Sequence, residues 1–229
     1  MGQQNLNEYF TDLLQKVDLQ IQDFEDNNND PFSLCKQVID YLQEIIGELK
    51  AFIISYSFTS KEEEIYFFKE QKPIIASKII YYNTVYQFEL RFPNGSEETQ
   101  KEFIMAETDR ILAHFQRNIS FYQYYRTKAT YLDHKYFLRG KPDIHILIDN
   151  FYYEADPQFS TSYDYKVAKI LAIELFAIYL TNRLNELERR FQRQQVKNGN
   201  IKKLLRCCAG RGRKGRWWSL SMHCTPAAV

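Results

Sequence analysis

Residues 167–191, "VAKILAIELFAIYLTNRLNELERRF", predict one long amphipathic helix. Apolar side chains recur three and four residues apart from Val167 to Phe191, which places them on one helical face. Glu188, near the end of this run, is the last acidic residue of the chain. Because basic side chains suit the negative end of a helix dipole, we expect a helix that ends in a basic segment and stops at residues 198–200, "NGN".

Four further helices are predicted upstream from the same spacing. The first covers Leu6 to Asp26, and Pro31 opens the second at a position where its missing N–H does no harm. Thr59 or Ser60 caps the third, which Pro73 interrupts. Ser96 caps the fourth. With only 8 Gly and 6 Pro in 229 residues, the chain is expected to be mainly α-helical.

The predicted fold is a helical bundle-like body of five to six helices over residues 1–200. Residues 201–229 are predicted to form a basic, disordered tail. Aromatic residues make up 16% of the chain, enough to fill a sizeable core. The stretch at residues 144–155 fits both a short helix and a strand, and the helix is favoured. Thr161 and Asp164 have capping-box spacing at the start of the last helix.

The charge of the chain is divided unequally. Residues 1–188 hold 19 of the 30 basic residues and all 29 acidic ones, so their net charge is −10. Every charged residue from Arg189 onward is basic. An acidic body with a basic end is typical of proteins whose end contacts nucleic acid or a membrane surface.

The sequence favours a cytoplasmic location and a reducing environment. The N-terminal residues lack the basic start and apolar run of a signal peptide. The most apolar window, at residues 169–180, contains Glu174 and is too short to span a bilayer. Four cysteines form no recognisable disulfide framework, and Cys35 is expected to be buried. No membrane partner is predicted.

Few residues are candidates for a catalytic or binding site. The stretch at residues 133–145, "DHKYFLRGKPDIH", could pair Asp133 with His134 for catalysis, but structural salt bridges or an ordered loop are favoured because neighbouring residues do not face each other on a helix. It remains a candidate surface element, carried by Lys135, Arg139 and Lys141. The tyrosine pairs at residues 81–82, 124–125 and 152–153 could stack on bases, although tyrosines at helical spacing favour the core.

No metal, cofactor or enzyme is predicted. The sequence has no Gly-rich phosphate loop and no helical metalloprotease motif. Cys207 and Cys208 are adjacent, as are His223 and Cys224, and neither pair has the spacing of a structural zinc site. An enzyme is therefore the least favoured of the function classes.

Two long motifs resemble the RteC family. They are "EEEIYFFKEQKPIIASKIIYY" at residues 62–82 and "FYQYYRTKATYLDHKYFLRGKPDIHILIDNFYYEADPQFSTSYDYKVAKILAIELFAIYL" at residues 121–180. The likeness covers roughly residues 8–196. It implies a DNA-binding transcriptional regulator of conjugative transposons, which activates excision functions in a tetracycline-responsive cascade and contacts the promoter region of an excision operon.

The tail departs from that family after residue 206. The resemblance implies a continuation like W-T-G-S-K-x-A-L-x-E-L-I-Y-A-L-H, which begins the family's C-terminal DNA-binding region. Read one base out of frame, Trp217-Trp218 must encode Val, Met222-His223 must encode Ala, and His223-Cys224 must encode Leu. The Ala and the Leu agree with that continuation, and the Val falls on one of its variable positions. We therefore interpret the tail as an out-of-frame product and the chain as a truncated regulator.

The leading interpretation is a transcriptional regulator that binds DNA. The alternative is a helical protein-interaction module with protein partners and no sequence-specific DNA binding of its own. The candidate phosphate contacts are the basic residues that follow Glu188 on the predicted last helix: Arg189, Arg190, Arg193, Lys197, Lys202, Lys203 and Arg206. The oligomeric state is not predicted.

Overall fold

The computed structural model describes residues 5–140 and 156–210, with side chains described up to Arg193. The chain divides into two compact units, Met1–Leu184 and Asn185–Val229. The stretch at 144–155, which the sequence left between helix and strand, lies outside the described residues. So do residues 211–229 of the predicted tail.

Helices account for all the regular structure in the described ranges. They are α1 (Leu6–Asn27), α2 (Pro31–Ser55), α3 (Lys61–Tyr66), α4 (Lys72–Arg91), α5 (Glu97–Arg117), α6 (Ile119–Arg126), α7 (Asp133–Tyr136) and α8 (Asp164–Gly210). A π-helical turn, Phe67–Gln71, joins α3 to α4. The prediction of a mainly α-helical fold is confirmed.

Side chains cap the helices where the sequence indicates. Ser60 Oγ accepts a hydrogen bond from the Glu63 amide at 3.1 Å, so Ser60 rather than Thr59 is the N-cap of α3. Ser96 caps α5 in the same way. Asp30 caps α2 through the Ser33 amide at 2.9 Å. Each cap supplies an acceptor to an otherwise unpaired amide and is worth about 1 kcal/mol.

The core of the first unit lies between α1, α2 and α4. One side of α2 is buried, with Leu42, Leu49 and Ile53 at 0% exposure. α2 packs on α1 and on α4, and Phe88 of α4 is also fully buried. Burying side chains of this size stabilises the fold by about 2 kcal/mol each.

The π-helical turn explains how a continuous helical path contains Pro73. Proline has no amide hydrogen and its ring clashes with the carbonyl four residues earlier. Within the wider turn the Lys72 amide bonds to the Phe67 carbonyl, five residues back, and Pro73 lies in the first turn of α4. The proline therefore changes the helix type locally and α4 continues. Turns of this kind occur often at functional sites.

Three local predictions are wrong. α8 passes through Asn198-Gly199-Asn200 and ends at Gly210, since one Gly disfavours a helix by only about 1 kcal/mol and good helix formers follow. The predicted capping box does not form, because Thr161 Oγ1 is buried without a hydrogen-bond partner. Apolar residues from Phe103 to Tyr122 have the spacing of one continuous helical face, but the helix is interrupted at Asn118, between α5 and α6, and Leu112 and Ile119 are 54% and 46% exposed.

Among the described helices, none combines the length and the apolar content that crossing a bilayer requires.

Candidate nucleic-acid interface

All seven predicted phosphate-contacting residues lie on α8, in the part that belongs to the second unit. We call residues 189–206 the basic segment. Because α8 reaches Gly210, the segment is helical along its whole length, including the residues placed in the tail by the sequence. Residues 201–206 thus share one secondary-structure element with residues 189–200.

The described side chains of the basic segment are open to solvent. Arg189, Arg190 and Arg193 are all exposed. Arg190 lies 3.9 Å from Glu186 in a pair whose side chains are 64% and 53% exposed, so this pair contributes little and does not immobilise the guanidinium. These arginines are therefore available to a polyanion.

The helical register brings part of the segment into a row. Positions 189, 193 and 197 are four residues apart, and such positions recur on one side of an α-helix. Glu188 is the last acidic residue in the sequence, so the segment contains no carboxylate. Its charge also suits the negative C-terminal end of the helix dipole.

In the first unit, two lysines are buried near the π-helical turn: Lys69 within the turn and Lys72 at the start of α4. Lys69 Nζ lies 2.8 Å from Asp133 Oδ1 and donates to the Ala129 carbonyl at 2.9 Å. The two charged side chains are 7% and 11% exposed. Tyr124 donates its hydroxyl hydrogen to the same Asp133 oxygen. Burial, and then this hydrogen bond, raise the pKa of Tyr124, so its hydroxyl remains a neutral donor.

Lys72 makes the matching contacts with the start of α8. Its Nζ lies 2.5 Å from Asp164 Oδ2 and from the Phe159 carbonyl, and 4.4 Å from the centre of the Phe159 ring. The Asp164 side chain is only 3% exposed. Lys69 of the π-helical turn therefore attaches the α7 segment to the core, and Lys72, the first residue of α4, attaches the first turn of α8.

The family model described as RteC protein matches residues 66–205. The chain belongs to the RteC family. The match includes the π-helical turn, α7 and all but the last residue of the basic segment, and so takes in both buried lysines and six of the seven candidate phosphate contacts. No curated protein and no solved structure matches the chain.

The candidate surface element of this RteC protein is only partly exposed. Lys135 is exposed, with its ammonium 5.8 Å from the Tyr136 ring centre. Arg139 instead pairs with Glu64 of α3 at 2.7 Å and donates to the Gln158 carbonyl at 3.0 Å. Lys141 lies outside the described residues. Arg139 thus holds its loop against the body, in line with the structural interpretation of this stretch.

The Asp133–His134 stretch is likewise structural where it is described. Asp133 is bound to Lys69 rather than oriented on its neighbour His134, which is exposed. Tyr82 and Tyr124 are buried, as expected for core residues, and the Tyr82 hydroxyl donates to Glu25 at 2.8 Å. The pair at residues 152–153 lies outside the described residues.

Sequence reasoning missed Lys69 and Lys72 as interior residues. Both lie in "FFKEQKPII", residues 67–75, where two lysines and one glutamate interrupt an apolar stretch beside a proline. A lysine in such a position indicates a buried ion pair, because a charge is buried on an apolar helix face only where it has a partner. The identity of the partner, 64 residues away for Lys69, is not readable from that signal.

Proposed function

We propose that this chain is a transcriptional regulator of conjugative transposon excision and transfer that contacts DNA through the basic segment of α8. Membership of the RteC family supports the regulatory role. The observation that supports DNA contact is the group of exposed arginines at 189, 190 and 193 on a helical segment without acidic residues. We place its action in the cytoplasm, where the DNA is.

Phosphate contacts by such a segment predict a steep dependence on salt. Each neutralised phosphate contributes about −0.9 to the slope of log K against log salt on duplex DNA. With about four contacts the slope is about −3.6, which lowers the affinity roughly 150-fold between 50 and 200 mM salt. Phosphate contacts position a protein on DNA but do not select a sequence.

We further propose that the chain as written binds DNA without sequence preference. The proposal depends on the reading-frame hypothesis, by which residues 207–229 replace the family's DNA-binding continuation. Restoring the frame is expected to recover preference for the promoter target. The acidic body repels phosphate, so deleting residues 202–229 is expected to abolish most of the binding.

A gel-shift titration tests the proposal with target and scrambled duplexes at two salt concentrations. The test variant replaces Arg189, Arg190 and Arg193 with Gln. A control variant of equal charge replaces Lys16, Lys36 and Lys61, which are exposed and lie on α1, α2 and α3. We expect the arginine variant to bind at least tenfold more weakly and with a smaller salt slope than the control.

Three outcomes contradict the proposal or parts of it. Equal losses in both variants mean that net charge alone governs binding and that the basic segment has no particular role. Selection of the target by a chain lacking residues 202–229 places base recognition within residues 1–201. If no variant or parent binds DNA at low salt, the alternative of a protein-interaction module is favoured.

A further inference from the structure

A second site is present in the first unit, away from the basic segment in sequence. The end of α5, the helix α6, the α7 segment and the residues around the start of α8 enclose an open cleft of about 300 Å³. We call it the aromatic cleft. Its volume is at the lower end of the range for small-molecule sites.

The walls of the aromatic cleft are rings in fixed mutual contact. Tyr136 stacks on Tyr163 with ring centres 3.7 Å apart and an interplanar angle of 28°. Phe121 lies 4.9 Å from Tyr163, again between ring centres. Tyr131 packs edge-on against Tyr124 at 5.3 Å but is itself 78% exposed. The cleft thus has a packed aromatic floor and one ring exposed to solvent, a surface suited to a flat aromatic ligand.

Among the residues that the structure describes, the charged side chains lining the aromatic cleft are Arg117 and Lys166, both positive, and no carboxylate lines it. Lys166 Nζ lies 4.8 Å from the Tyr163 ring centre, and the Arg117 Nε–H bonds only to the Ala113 carbonyl, at 3.3 Å. Asp133, behind Tyr124, is already paired with Lys69.

Burial and nearby positive charge both affect a neighbouring histidine. Burial lowers the pKa of His114, and Lys169 and Arg117 lower it further by repulsion. The polar residues Asn118 and Ser120 also line the cleft at the start of α6, which has no side-chain cap. Its free amides add to the attraction for an anion.

We propose that the aromatic cleft binds a nucleotide unit, with the base stacked on Tyr131 and the phosphate between Arg117 and Lys166. A purely apolar ligand leaves both cations without a partner, and a small inorganic anion leaves the exposed ring unused. The unit is either a free mononucleotide or one residue of a single strand, because a base within duplex DNA is already stacked and paired and cannot enter. Aromatic stacking of one base is worth about 1–3 kcal/mol.

Isothermal titration of the full chain with the four ribonucleoside 5′-monophosphates tests the proposal. Uridine and adenosine, inorganic phosphate and a short single-stranded oligonucleotide are the comparison ligands. We expect at least one monophosphate or the oligonucleotide to bind, and nucleosides and phosphate alone to bind at least tenfold more weakly. A monophosphate that binds as well as the oligonucleotide indicates a free nucleotide as the ligand, and binding of the oligonucleotide alone indicates a single strand.

Substitutions of the residues lining the aromatic cleft test whether the nucleotide binds there. Tyr131→Ala, Arg117→Gln and Lys166→Gln should each weaken it about tenfold or more, whereas the matched surface changes Tyr66→Ala and Lys36→Gln should not. Because Tyr131 is 78% exposed, its replacement should leave the helix content unchanged, as circular dichroism can check. The chain with Gln at 189, 190 and 193 should retain binding at the cleft.

Three results overturn the proposal. One is the absence of binding by every nucleotide and by the oligonucleotide at millimolar concentration. Another is binding that Tyr131→Ala and Arg117→Gln leave intact. The last is binding lost only in the variant of the basic segment, which places the nucleotide on that segment.

Discussion

Replacing Lys69 by Met should destabilise the first unit far more than replacing a surface lysine. The change removes the ammonium that lies 2.8 Å from Asp133 Oδ1 and 2.9 Å from the Ala129 carbonyl. It leaves a carboxylate that is 11% exposed with the Tyr124 hydroxyl as its remaining donor.

The expected loss of stability follows from the burial of the Lys69–Asp133 ion pair. Removing one partner of a buried ion pair is destabilising by about 3–5 kcal/mol, because the other charge stays out of water without compensation. For a unit of this size each kcal/mol lowers Tm by roughly 2–4 °C, so Lys69→Met should lower Tm by roughly 6–20 °C. The matched control is Lys16→Met, whose partner Glu48 is 3.7 Å away and where both side chains are more than half exposed; it should change stability by less than about 1 kcal/mol.

Urea unfolding followed by far-UV circular dichroism measures both variants. The double variant Lys69→Met/Asp133→Leu should recover a large part of the loss, because it removes the uncompensated charge together with its partner. If Lys69→Met is no more destabilising than Lys16→Met, the pair is not held in a buried environment and the attachment of α7 to the π-helical turn is refuted.

Three further predictions concern local features. Ser96→Ala should reduce the free energy of unfolding by about 1 kcal/mol, measured in urea, through loss of the α5 cap. Leu42→Ala, in the core, should reduce it by about 2–5 kcal/mol, whereas Leu112→Ala at an exposed position should change it by less than about 0.5 kcal/mol. Burial, and then Glu89 and Asp30, raise the pKa of Cys35 to about 11, so this thiol stays protonated at pH 8. Mass spectrometry should find it unlabelled by iodoacetamide in the folded chain and labelled in urea; rapid labelling of the folded chain contradicts this.

The helices and most of their starting points could be predicted from the sequence. Helical spacing of apolar residues predicted α1 from Leu6 and α2 from Pro31, and the cap at Ser96 was confirmed. These features depend on residues within about four positions of each other, because helical hydrogen bonds and caps have that range. The same local reasoning wrongly predicted that α8 ends at Asn198-Gly199-Asn200, since neighbouring helix formers outweigh one glycine.

The pairing of polar groups in the interior could not be predicted from the sequence and is known from the tertiary structure alone. Lys69 and Asp133 are 64 residues apart, Lys72 and Asp164 are 92 apart, and Arg139 and Glu64 are 75 apart. Nothing in the spacing of either partner identifies the other. The aromatic cleft could not be predicted from the sequence either, since Tyr131 and Lys166 line one surface only after α8 has packed beside α6 and α7. Such contacts arise from the docking of whole helices, whose apolar faces are readable from the sequence but whose partners are selected by shape and charge in three dimensions.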